Sequence, residues 1–155
     1  MIPEVVTKQA FICDMDGVLY HGNRLLPGAA EFITWLQKNN KKYLLLTNNS
    51  MYSRRDLHQK MLRLGLTIPE GNFYTSALAT AKFLSSQQPN AKVYVIGEPG
   101  LANALYEVGC SMDEHSPDYV VVGETKSYSY EKIIKAVSLV FKGARLIGTN
   151  PDLTG

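Results

Sequence analysis

The chain has 155 residues, 45% of them hydrophobic and 19% charged, with a formal net charge of +2. That length suffices for one ordinary domain or two very small ones, and the near-neutral balance gives no support for a nucleic-acid partner, which would show a clustered basic face. No apolar run approaches the ~20 residues that cross a bilayer, and Pro3 and Glu4 stand where a signal peptide would carry its apolar core. The two lone cysteines, Cys13 and Cys110, form no framework and fit a reducing compartment, so a cytoplasmic protein without a membrane partner is expected.

Strand-like and helix-like segments alternate along the chain. Residues 10–13 read as a first strand. Pro27 and Gly28 open a helix to about Lys38, with Ala29, Phe32, Ile33 and Leu36 on one face at helical spacing. Residues 43–46 are a second apolar strand, leaving through Thr47-Asn48-Asn49-Ser50. Leu57, Met61 and Leu64 form the buried stripe of a helix over residues 53–64, which Gly65 ends. A short strand at 73–75 follows, and Ser76 is the expected cap of a helix over 77–86. The polar stretch 87–91, containing Pro89 and Asn90, reads as a linker. Beyond it come strands at 92–96, 119–122 and 145–147, with helices at 101–108 and 130–141. Near-continuous apolar strands between amphipathic helices imply parallel sheets covered on both faces, here as two α/β units.

The chemistry concentrates where the first strand ends, in Asp14-Met15-Asp16-Gly17. Alternate side chains of a strand share a face, so Asp14 and Asp16 can point the same way while Met15 turns into the core. Ligands of open parallel sheets bind beyond the carboxyl ends of the strands. If the first two strands are neighbours, the Thr47 hydroxyl and the backbone N–H groups of its loop face the two carboxylates and supply donors for a phosphate. A carboxylate pair repels a phosphate dianion unless a divalent cation lies between them, and Mg²⁺ suits a site with few protein oxygens. One aspartate could then attack phosphorus while the other protonates the leaving oxygen and later activates water.

Other features carry less. Cys13 is no phosphatase thiol, because Leu19 stands where the arginine of a C-x₅-R loop belongs. His21, His58 and His115 lack metal-ligand spacing. Arg54-Arg55 reads as a solvated face, and Gly97-Glu98-Pro99-Gly100 lacks the spacing of a dinucleotide fingerprint.

At these residues the chain resembles the haloacid dehalogenase (HAD) superfamily of phosphatases, and in particular its NagD branch. The supporting stretches are Asp14-Met15-Asp16-Gly17-Val18-Leu19, Leu46-Thr47-Asn48-Asn49-Ser50, Tyr74-Thr75-Ser76-Ala77, Val122-Gly123-Glu124-Thr125 and Thr149-Asn150-Pro151-Asp152. The resemblance implies a parallel three-layer Rossmannoid α/β core over residues 1–86, incomplete, and a small α/β cap over 87–155. It implies Asp14 as nucleophile and Asp16 as general acid/base, with Mg²⁺ held by the Asp14 carboxylate and the Asp16 backbone carbonyl. The implied substrate-binding set is Asp16, Gly17, Thr47, Asn48 and Asn49, with Thr47 and Asn48 on the transferred phosphoryl group. Implied substrates are small phosphomonoesters, including nucleoside monophosphates such as UMP, and sugar phosphates; whether the protein forms a homo-oligomer is left open.

The family also uses a lysine and a Gly-Asp-type acidic motif that follow the cap, and neither precedes Gly155. The expectation is therefore an N-terminal piece of a longer phosphatase, inactive alone, with the first strand presenting an unpaired apolar edge. The alternative is a non-catalytic phosphate-binding or assembly module. Dehalogenation is the weakest reading, because the second aspartate is what phosphoryl transfer needs as its acid/base.

Overall fold

The computed structural model describes residues 3–151. The chain forms two compact units, one made of residues up to Thr47 together with Arg54–Tyr74, the other of Asn48–Ser53 and the chain from Thr75 onward.

The first unit begins with one helical turn, α1 (Pro3–Val6), and strand β1 (Ala10–Asp14). A two-residue-per-arm hairpin follows, β2 (Tyr20–His21) and β3 (Arg24–Leu25), then helix α2 (Ala29–Lys38), strand β4 (Lys42–Thr47), helix α3 (Arg54–Arg63) and strand β5 (Phe73–Thr75). The sheet order is β1-β4-β5, and β1 runs parallel to β4 with Ala10 opposite Lys42 and Asp14 opposite Leu46. The amphipathic patterns place the helices as expected: Ala29, Ile33 and Leu36 of α2 and Leu57 and Met61 of α3 are buried with Leu45, Ile68 and Phe73. Full burial of a side chain such as Leu57 or Met61 contributes about 1.5–3 kcal/mol. The Phe11 ring meets Phe32 and Trp35 edge-on, with centroids 5.9 and 5.7 Å away.

The first strand departs from the expected burial on both faces. It lies at one edge of its sheet, its burial alternates along the strand, and Ile12 is 72% exposed. Phe11 and Cys13 pack toward the core, whereas the opposite face of β1 carries Ile12 into solvent.

The second unit contains helix α4 (Ser76–Gln87), strand β6 (Lys92–Ile96), helix α5 (Pro99–Glu107), strands β7 (Ser111–Met112) and β8 (Tyr119–Val122), helix α6 (Tyr130–Phe141) and strand β9 (Arg145–Gly148). Its sheet has the order β7-β6-β8-β9 and is parallel throughout. Strand alternation splits the core in two. Val93, Tyr119 and Val121 pack with Ala77, Ala81, Leu84, Leu101 and Leu105 of α4 and α5, while Tyr94, Ile96 and Val120 pack with Ala136 and Leu139 of α6. This is the three-layer arrangement that parallel strands require.

Two boundaries differ from the sequence reading. Thr75, rather than Ser76, caps α4, its hydroxyl accepting from the Leu78 N–H at 3.2 Å, while the Ser76 hydroxyl donates to the Asn48 carbonyl at 2.7 Å. The compact units divide at 74/75 rather than at 86/87, because the buried face of α4 belongs to the core of β6, β8 and α5. Asp152, at the end of the expected loop after β9, lies outside the described residues.

Residues 48–53 seat in the second unit through close backbone contact. The Gly100 N–H donates to the Met51 carbonyl at 3.1 Å, and a Cβ at Gly100 would stand 2.5 Å from that same oxygen. Gly100→Ala is therefore expected to destabilise the fold by about 1–3 kcal/mol despite the better helix propensity of alanine. Chemical unfolding followed by circular dichroism measures it; an unchanged or higher midpoint would show that the turn yields freely.

Candidate active site

The site begins at the carboxyl end of β1. Asp14 and Asp16 are exposed, and Met15 between them is 0% exposed, held in the core of the first unit. The Asp14 carboxylate accepts the Met15 N–H through Oδ1 at 2.8 Å, which ties it against the strand end. The chain then reverses at Gly17, whose φ of +75° is a left-handed conformation that a side chain resists. The Gly17 N–H donates to the Tyr20 carbonyl at 2.8 Å, and Leu19 N–H returns to the Met15 carbonyl at 2.9 Å. This tight loop presents both carboxylates on its rim while Met15, Leu19 and Tyr20 anchor it from below.

Thr47 ends β4, the strand directly beside β1, one residue past the Asp14–Leu46 pairing, and is 6% exposed. The two polar strand exits singled out in the sequence are thus the aligned ends of adjacent parallel strands, where ligands of such sheets bind. After Thr47 the chain enters the second unit. There the Asn49 side chain donates to a Glu124 carboxylate oxygen at 2.9 Å and accepts the Met51 N–H at 2.9 Å. Ser50 is 0% exposed, and its hydroxyl accepts the Glu124 N–H at 2.9 Å. Thr47-Asn48-Asn49-Ser50 is therefore also a structural splice: Thr47 closes one sheet, and Asn49 and Ser50 fasten the loop after β8.

Two residues near the carboxylates carried no signal in the sequence. The Tyr20 hydroxyl donates to Asp16 Oδ2 at 2.9 Å, and the Lys60 ammonium lies 3.8 Å from the centroid of the Tyr20 ring. Burial pushes the Lys60 ammonium below its ordinary pKa, partly opposed by the negative charge of Asp16. No periodicity marks Tyr20, since its approach to Asp16 comes from the loop reversal at Gly17. In the second unit, Thr125 donates to Glu98 at 2.7 Å, and this hydroxyl, with the Lys126 N–H, holds Glu98 below the usual carboxylate range.

Two of the residues set aside in the sequence have structural duties. His58 Nδ1 lies 2.6 Å from the Ile68 carbonyl, and Arg54 donates to the Phe73 carbonyl at 3.2 Å, fixing α3 to β5. Among the described residues no three His, Cys, Asp or Glu side chains cluster to hold a metal. Mg²⁺ asks for less, commonly one or two carboxylates with water and substrate phosphate, and the exposed oxygens of Asp14 and Asp16 suit that donor set. No helix among the described residues is long and apolar enough to cross a membrane.

Paired carboxylates at the end of a parallel strand, beside a threonine at the next strand's exit, stand where ligands of an α/β sheet bind. The chain belongs to the haloacid dehalogenase-like hydrolase family, whose family model matches residues 11–111. It is 45% identical to a dihydroxyacetone phosphatase of Corynebacterium glutamicum over 94% of this chain and 53% of that protein. It is 43% identical to the ribonucleotide monophosphatase NagD of Escherichia coli, over 97% of this chain and 60% of the other. The solved NagD structure of Escherichia coli K-12 superposes with a TM-score of 0.87 at 44% identity, covering 95% of this chain and 58% of that one. A glycerol phosphate phosphatase of Mycobacterium tuberculosis, solved in complex with magnesium, matches at 26% identity and a TM-score of 0.86 over 93% of this chain and 44% of its own. The chain thus spans little more than half the length of the curated relatives it matches.

Proposed function

We propose that the protein carrying this chain is a Mg²⁺-dependent phosphatase of small phosphomonoesters, working through an aspartyl-phosphate on Asp14. The observation that carries the reading is the placement of exposed Asp14 and Asp16, either side of buried Met15, at the end of β1 and beside the Thr47 exit of β4. The first unit is the core and the second the cap that selects the substrate. Nucleoside monophosphates and sugar or triose phosphates are the substrate classes, in keeping with the names of the relatives.

An Asp14 carboxylate oxygen attacks phosphorus, and the bond from phosphorus to the ester oxygen breaks. Its electrons go to the leaving oxygen, which takes the proton of the Asp16 carboxyl. Asp16, now a carboxylate, takes a proton from water; the water oxygen bonds phosphorus and the Asp14 carboxylate is released. The products are one alcohol and one inorganic phosphate. Thr47 and Asn48 hold the transferred phosphoryl oxygens, helped by the backbone at Asn49; Gly17, expected among the binding residues, instead spends its N–H on the Tyr20 carbonyl at 2.8 Å and shapes the loop. Mg²⁺, held by the Asp14 carboxylate and the Asp16 backbone carbonyl, would offset the repulsion between carboxylates and phosphate.

The test is phosphate release by the natural gene product from a panel of nucleoside monophosphates, triose phosphates and sugar phosphates. Release is expected with Mg²⁺, falling by about 10²-fold or more when the ion is chelated. Absence of release from every member of the panel, or release indifferent to chelation, overturns the proposal.

A further inference from the structure

We infer that Tyr20 is the positioning residue for the acid/base Asp16: its hydroxyl holds Asp16 Oδ2, so that the proton passed to the leaving oxygen is carried by Oδ1. This rests on the phosphatase reading above and goes beyond it.

Asp16 sits exposed on the rim of a loop, where a carboxyl side chain would sample several rotamers. Tyr20 removes that freedom. Its ring is 2% exposed within the core of the first unit, packed with Met15, Leu19, Ile33 and Leu57 among others, and it lies under the Lys60 ammonium at 3.8 Å. A cation over the face of a phenol fixes the ring. The ring's one polar atom donates to Asp16 Oδ2 at 2.9 Å. The backbone repeats the same link: Asp16 and Tyr20 form an isolated β-bridge, and the Gly17 N–H bonds the Tyr20 carbonyl at 2.8 Å. Side chain and main chain thus couple the exposed acid to the buried core of its unit.

The direction of the hydrogen bond decides the chemistry. With the Tyr20 hydroxyl donating to Oδ2 at 2.9 Å, Oδ1 is the oxygen to which this reading assigns the transferable proton of the carboxylic acid. As the phosphorus–oxygen bond breaks, that proton moves from Oδ1 to the leaving oxygen, and Asp16 is left as a carboxylate still gripped at Oδ2. A loosely held acid would lose the alignment on which proton transfer depends.

Tyr20→Phe keeps the ring, its burial and the overlying lysine, and removes only the donor. In the Mg²⁺-loaded natural gene product, kcat/KM for an alkyl phosphomonoester is expected to fall about tenfold or more. For 4-nitrophenyl phosphate, whose leaving group needs little proton assistance, it should change by less than about twofold. A merely structural role would lower both together, and that result, or no change in either, overturns the inference. The bond is read independently in thermal unfolding. Tyr20→Phe should lower the melting temperature in the presence of Asp16 but not in an Asp16→Ala background; an equal drop in both backgrounds refutes the contact. Activity on neither substrate by the unaltered protein instead overturns the phosphatase reading, and with it any positioning for that step.

Discussion

Asp14→Asn is expected to reduce phosphate release by about 10⁴-fold or more while leaving the fold intact. The substitution keeps size and shape, and the amide oxygen can still accept the Met15 N–H that Asp14 Oδ1 accepts at 2.8 Å. The side chain is exposed, so no core packing is disturbed. What disappears is the charged oxygen that forms the bond to phosphorus, and the uncharged amide is a far poorer nucleophile. The loss should fall chiefly on kcat, since phosphoryl binding is assigned to Thr47 and Asn48, while any change in KM reports the Mg²⁺ that the Asp14 carboxylate would hold. Steady-state kinetics on the natural gene product, with circular dichroism as the control for folding, measures both. Turnover within about tenfold of the unaltered protein would remove Asp14 from the role of nucleophile.

The extent to which sequence foretold structure varied with the length scale of the signal. Long amphipathic segments were legible: the stripe Ala29, Ile33 and Leu36 and the pair Leu57 and Met61 are the buried faces of α2 and α3. Short elements were not. The hairpin of β2 and β3 has two residues per arm, too few for any period to register, yet its first residue is the partner of Asp16. The division of the compact units at 74/75 is marked by no local signal for a different reason. A polar stretch at 87–91 looks like a linker, but α4 before it buries Ala77, Ala81 and Leu84 against the helix and strands that come after. Only packing, and no local composition, reveals which sheet a helix belongs to. In the candidate site, the carboxylates and Thr47 were legible because strand alternation and strand-exit position dictate where they stand. The part of Asn49 that was not legible is its side chain, whose polar atoms bond Glu124 and Met51. The sequence clue to that splice is steric: Gly100 and Gly123 sit where a Cβ would collide with Met51 and Ser50, at 2.5 and 2.8 Å respectively.

Asp16→Asn is expected to separate the two chemical steps, because the same carboxyl serves each in a different protonation state. In the first it gives a proton to the leaving oxygen; in the second it takes one from water. An alkyl leaving group needs the first service, so release of its alcohol should fall by about 10²–10⁴-fold. A 4-nitrophenyl group leaves without it, and the Asp14 attack can still proceed. The second step keeps its full demand for a base whatever the leaving group was. The variant should therefore release a burst of about one 4-nitrophenolate per active site and then stall with the phosphoryl group on Asp14. Intact mass after acid quench should show one added phosphoryl group in Asp16→Asn and none in the Asp14→Asn/Asp16→Asn double variant. Undiminished multiple turnover on both substrates would mean that Asp16 is neither acid nor base. A stalled adduct that persists in the double variant would place the covalent bond on some residue other than Asp14. Tyr20 keeps its partner throughout, because the amide oxygen of the substituted side chain can accept the hydroxyl proton that Asp16 Oδ2 accepts at 2.9 Å. The stall should then reflect the missing proton transfer alone, with the side chain still held in its place.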